Sequence, residues 1–117
     1  MTPARRRGAI VAVWASAVAV AGAAGTMLAG GAKPVTHTVT IDATRYQPAR
    51  LTVHVGDTIV WVNKDLIPHT ATAKAGTFDS KVVAPGASWR VTVKAKGATD
   101  YACLFHPTMT GRLDVGE

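Results

Sequence analysis

The chain has 117 residues, 48% of them hydrophobic, with 13 Lys and Arg against 7 Asp and Glu and a single cysteine. That length allows one domain and a short appendage, and one cysteine excludes an internal disulfide framework. The basic excess is concentrated at the start: without Arg5, Arg6 and Arg7 the balance is 10 against 7, a net +3. No Lys/Arg cluster interleaved with aromatics remains, so nucleic acid is excluded as a partner.

Arg5-Arg6-Arg7 is followed by Gly8 to Ala32 without a charge. A basic start, an apolar run centred on Ile10 to Ala24 and the small residues Gly30-Gly31-Ala32 describe a secretory signal peptide. The uncharged stretch is also long enough to span a bilayer, so membrane attachment through residues 8–32 is the alternative. Its Ala, Gly and Val insert weakly compared with Leu or Phe. On either reading residues 1–32 are a signal peptide or membrane anchor, and 33–117 form an exported domain, periplasmic or extracellular.

From Val35 the pattern turns to strands. Val35-Thr-His-Thr-Val-Thr-Ile41 alternates apolar and polar residues in a β-branched run. Tyr46-Gln-Pro-Ala49 interrupts it, and Arg50-Leu-Thr-Val-His-Val55 resumes the alternation with Leu51, Val53 and Val55 inward. Gly56-Asp57 is a turn, and Thr58-Ile-Val-Trp-Val-Asn63 is apolar on both faces, as a central strand would be. Lys64 to Thr72 is a loop. Thr77-Phe-Asp79 and Lys81-Val-Val83 read as short edge pieces, and Pro85-Gly86 as a type II turn. Ser88 to Lys94 alternates again with Trp89, Val91 and Val93 inward. Gly97 turns the chain into Thr99 to Cys103, and Gly111-Arg-Leu-Asp-Val115 is the last strand. Short strands with turn signals and no helical periodicity predict an all-β fold, a small antiparallel Greek-key β-sandwich. Trp61 and Trp89 belong to its core. Tyr101 is either a core aromatic or the corner tyrosine of such sandwiches. His54 falls on the outward face of its strand, and His37 reads as a partly covered structural histidine.

The chemistry lies in Tyr101-Ala-Cys-Leu-Phe-His-Pro-Thr-Met-Thr-Gly111. Cys103, His106 and Met109 stand at C-x2-H-x2-M spacing, so a short loop can direct a thiolate, an imidazole and a thioether at one point. Soft sulfur donors beside an imidazole suit copper, which tops the divalent affinity series, whereas a thioether is a poor ligand for zinc. A second histidine is required for the two-His, one-Cys trigonal site with a weak axial Met. His69, in the loop that follows the central strand, is the candidate. A lone thiol exposed outside the cytoplasm would be open to oxidation, and coordination would protect it. A bound metal would also add stability to a domain this small.

The segments Gly56-Asp-Thr-Ile-Val-Trp-Val-Asn63, Pro68-His69 and Cys103-x2-His106-Pro107-x-Met109 resemble the cupredoxins, the small blue copper proteins, and within them the amicyanin and plastocyanin type. The resemblance spans roughly Val35 to Val115. Two positions depart from it: Thr70 replaces an asparagine that braces the ligand loops, and Phe105 replaces a proline before the second histidine. The resemblance implies one type 1 copper held by His69, Cys103, His106 and Met109. It also implies a docking face around a near-surface His106, with Leu66, Ile67, Pro68, Phe105 and Pro107 as its apolar residues. The function implied is carriage of single electrons between transient redox protein partners, by a monomer. No nucleophile–base pair and no second copper-ligand set is present, so the chain is not read as an enzyme. An extracytoplasmic copper chaperone or storage protein would use the same ligands and is the alternative. A metal-free sandwich would leave the Cys-His-Met cluster without a purpose.

Overall fold

The computed structural model describes residues 33–117. The signal peptide or anchor expected over 1–32 lies outside the described residues. Among these residues every regular element is a strand: β1 (Thr36–Asp42), β2 (Arg45–Gln47), β3 (Arg50–His54), β4 (Thr58–Asn63), β5 (Thr72–Ala73), β6 (Ser88–Thr92), β7 (Gly97–Cys103) and β8 (His106–Gly116). They form two four-stranded sheets, in the orders β2-β1-β4-β6 and β3-β8-β7-β5. The expected β-sandwich is present, and β4 is interior to its sheet as its two-faced apolar pattern predicts.

The sheets are mixed rather than purely antiparallel. β1 pairs with β4 and β3 with β8 in parallel, while the other neighbours run antiparallel. The reason is topological. After the β1–β2 hairpin the chain crosses to the second sheet as β3 and returns beside β1 as β4. Parallel neighbours need a crossover of this kind, and strand alternation alone does not encode it. A parallel pair and an antiparallel pair bury the same alternate side chains.

Alternation places one face of each strand between the sheets. Val39, Ile41, Ile59 and Trp61 from the first sheet meet Val53, Tyr101, Cys103, Met109 and Leu113 from the second in one buried cluster. Trp61 packs against Phe78, Trp89 and Tyr101, with ring centroids 5.3, 5.6 and 5.5 Å away. Offset and edge-on aromatic contacts at such separations add to simple area burial. Trp89 is half-buried and Trp61 fully buried, so both expected core tryptophans contribute. At Pro85-Gly86 the Ala87 N–H donates to the Ala84 carbonyl at 2.9 Å, and Gly86 has φ 80°. That is the type II turn the dipeptide predicts.

Three local expectations are corrected. Val55 is 43% exposed, because the strand ends at His54 and Val55 opens the turn that follows. Thr77–Asp79 and Lys81–Val83 are not strands; each contributes a single bridge, Thr72 with Asp79 and His69 with Val83. The last strand begins at His106, five residues before Gly111, so most of the expected ligand loop is part of a hairpin. Tyr101 and Gly111 stand directly opposite each other in that hairpin.

At the start of β4, away from this hairpin, Asp57 ties three segments together. One carboxylate oxygen accepts the Val35 N–H at 2.9 Å; the other accepts the His37 ring at 2.9 Å and the His54 N–H at 3.0 Å. These bonds, led by the one from Val35, lower the Asp57 pKa to about 2. His37 is the partly covered structural histidine expected, and His54 is exposed as expected.

Gly111 is required by packing. A Cβ there would overlap the ring of Tyr101, which is itself buried against Tyr46 and Trp61. Overpacking a filled core typically costs about 1–3 kcal/mol. Gly111→Ala is expected to lower the unfolding free energy, measured by equilibrium denaturation, by an amount in that range. Gly76→Ala, with open space around its Cβ position, should show only the smaller cost of its positive φ.

Candidate metal centre

Two loops at one end of the sandwich supply the predicted donors. The first runs from β4 to β5 and is fastened by Asn63, the buried last residue of β4. Asn63 Nδ2 donates to the carbonyls of Ile67 (2.9 Å) and Val83 (3.0 Å), and its Oδ1 accepts the Asp65 N–H at 2.9 Å. His69 is further held by reciprocal backbone bonds with Val83, at 3.2 and 2.8 Å. The second loop is only Leu104-Phe105, between the end of β7 at Cys103 and the start of β8 at His106. Cys103 and His106 are cross-strand partners at a register shift. A turn this short leaves both side chains little freedom.

The structure brings His69, Cys103 and His106 together, with one ligand atom of each lying within 4.8 Å of the others. Both imidazoles present Nδ1 to the Cys103 sulfur, each at 3.7 Å. His69 and Cys103 are buried, and His106 is half-buried. Met109 is buried in the same cluster of side chains as Cys103. A buried thiol and two imidazoles whose Nδ1 atoms face it fit copper by donor type, with softness and nitrogen character matched to a two-His, one-Cys site.

Thr70, the residue that departs from the family pattern, takes on the bracing role. Its N–H points at the Cys103 sulfur at 3.4 Å, and its Oγ1 accepts the Leu104 N–H at 3.0 Å while lying 2.9 Å from Thr72 Oγ1. One threonine therefore joins both loops. Tyr46 adds a third tie by donating its hydroxyl to the Thr70 carbonyl. Burial, then the neighbouring Cys103 and Tyr101, push the Tyr46 pKa up, so the phenol stays a donor.

Behind His69, Nε2 lies 2.7 Å from Asp65 Oδ2. Burial works to raise the Asp65 pKa, but bonds from the Thr44 N–H, the His69 ring and the Ala43 N–H outweigh it and hold the carboxyl below its ordinary value. Sequence reasoning missed Asp65, Tyr46 and Asn63. Asp65 left one faint signal, a carboxylate four residues before a candidate ligand, and the other two had none.

Outside the site, Leu66, Ile67, Pro68, Phe105 and Pro107 are all exposed, Leu66 at 93%. Leu104, exposed as well, joins them and was not anticipated.

The model of the cupredoxin-like domain family matches residues 8–115. The chain belongs to the cupredoxin-like family. It is 29% identical to amicyanin of Paracoccus versutus over 82 residues, covering 66% of this chain and 62% of the relative. It is 30% identical to amicyanin of Paracoccus denitrificans over 82 residues, covering 66% and 63%. The match thus spans a little under two thirds of either relative's length. Among solved structures, the reduced Cu(I) form of a proline-to-glycine amicyanin variant is similar at a TM-score of 0.66 and 28% identity, over 69% of this chain and 82% of that one. The Cu(I) form of a methionine-to-alanine amicyanin variant is similar at 0.66 and 29%, over 75% and 88%.

Thr70→Val keeps the side-chain shape and removes the oxygen that accepts the Leu104 N–H. That oxygen also lies 2.9 Å from Thr72 Oγ1, so two bonds are lost, each worth about 1 kcal/mol. Equilibrium denaturation of the apoprotein should register that loss, and amide exchange at Leu104 should accelerate.

Proposed function

We propose that residues 33–117 form a type 1 copper protein that carries single electrons between redox partners outside the cytoplasm, with residues 1–32 as its signal peptide or membrane anchor. The observation that carries this reading is the meeting of two imidazole Nδ1 atoms and one thiol sulfur at a buried point between two clasped loops. Copper bound there supplies a one-electron couple between Cu(I) and Cu(II).

His69, Cys103 and His106 are the three strong ligands and Met109 the weak axial one. The chain's contribution is restraint. Asn63, Thr70 and the Leu104-Phe105 turn hold the donors in one arrangement, so little has to move when the charge changes. Burial of Cys103 and Met109 keeps water from the sulfur side. His106, less buried than His69, offers the path to the surface. The exposed residues around it, Leu66, Ile67, Pro68, Leu104, Phe105 and Pro107, form a small apolar face. Contacts of that size suit the weak, short-lived complexes of redox proteins, with the carrier itself a monomer.

Cu(II) added to the purified protein should produce an intense blue thiolate-to-copper band, and voltammetry should then cycle reversibly without loss of metal. Cys103→Ala should abolish the band. Met109→Leu should retain copper and raise the potential, because the site becomes more apolar. Absence of the band in the parent would refute the reading. Irreversible cycling with ready surrender of Cu(I) to a chelator would indicate a copper chaperone instead.

A further inference from the structure

The hairpin turn between β1 and β2 is made of Ala43 and Thr44, both at positive φ, 52° and 56°. Two-residue hairpin loops favour this mirror-image geometry but normally fill it with Asn and Gly. For alanine, and more so for a β-branched threonine, the left-handed region is costly. Such conformations persist when the surroundings over-determine them. Here the over-determining group is a carboxylate. The Ala43 N–H donates to Asp65 Oδ1 at 2.7 Å and the Thr44 N–H to Asp65 Oδ2 at 2.9 Å. Successive backbone N–H groups aimed at one point make a seat for an anion.

That seated anion has a third partner. Asp65 Oδ2 also accepts from His69 Nε2, and the His69 side chain is 0% exposed while that of Asp65 is 13% exposed. A line of contacts therefore runs from the turn, through the carboxylate and across the imidazole, to the Nδ1 that faces Cys103. We propose that Asp65, clamped by the Ala43–Thr44 turn, is a positioning residue that fixes His69 as the Nε2–H tautomer and holds down the reduction potential of the centre. The inference rests on the reading of His69 as a copper ligand.

Hydrogen bonding to a carboxylate orients a ligand histidine, selects its tautomer and raises its basicity. A more basic Nδ1 stabilises Cu(II) more than Cu(I), so the couple shifts to lower potential. An amide cannot substitute. Each oxygen of Asp65 already receives a backbone N–H, and an asparagine side chain has one acceptor and one donor group. In Asp65→Asn, either orientation of the amide would set its NH2 against a donor, so the variant must give up part of the clamp.

The test uses the full chain, first without metal. Nitrogen-15 NMR of the apoprotein should find His69 protonated at Nε2 alone; protonation at Nδ1 in the parent would overturn the proposal without any variant. In Asp65→Asn the tautomer should become mixed, and Cu(II) affinity should fall about 10–100-fold. The potential should rise by about 59 mV for each tenfold by which Cu(II) affinity falls more than Cu(I) affinity. Asp65→Glu, which keeps the charge, should recover part of both effects. A variant Asp65→Asn that melts earlier yet keeps the parent tautomer and potential would reduce Asp65 to a clasp of the turn. Should the parent itself fail to bind copper, the proposed function fails, while the tautomer in the apoprotein still decides whether Asp65 sets His69.

Discussion

One sulfur has to face donors from two loops, and His69 lies 34 residues before Cys103 in the chain. Closing so long a loop has an entropic cost, and two unpaired flexible loops would not hold the donors in register. The local structure at this end of the sandwich supplies the restraint. Asn63 fastens the first loop to the end of β4, the β7–β8 hairpin shortens the second to two residues, and Thr70 bonds across the gap between them. Cys103 and Met109 are continuous with the aromatic cluster of Tyr46, Trp61 and Tyr101, so movement of either sulfur would require repacking of the centre of the domain.

The same restraint is what the proposed electron carriage requires. His69 and Cys103 are buried and His106 is half-buried, and the loops that carry them also hold the exposed apolar residues Leu66, Ile67, Leu104 and Phe105. In the proposed carrier, donors held by these bonds would move little, which lowers the reorganisation that accompanies a one-electron change.

Much of this was legible before the fold was known, and the reasons are particular. Cys103, His106 and Met109 fall within seven residues, so their association is written in spacing alone. The two-faced apolar pattern of Thr58–Asn63 marked the central strand, and that strand leads directly to His69. The parallel pairings of β1 with β4 and β3 with β8 were not legible, because side-chain alternation has the same period in either direction. The extension of β8 back to His106 was hidden by Pro107 and by the polar Thr108 and Thr110, which look like loop residues and prove to be the exposed face of a strand. Thr70 looked like a lost brace. Its hydroxyl proves to be one, since its oxygen accepts the Leu104 N–H from the other loop. Tyr46 reaches Thr70 from 24 residues away and Asp65 is seated by the Ala43–Thr44 turn from more than 20 residues away, contacts only the folded chain reveals.

If the loops pre-form a site of two imidazoles and one thiolate, that site should serve both oxidation states. X-ray absorption at the copper edge of the loaded full chain, oxidised and then reduced, tests this most directly. One short copper–sulfur and two copper–nitrogen interactions are expected in each state, with only small changes in length between them. A shell of oxygen and nitrogen without sulfur, or a ligand set that is largely exchanged on reduction, would contradict a pre-formed site.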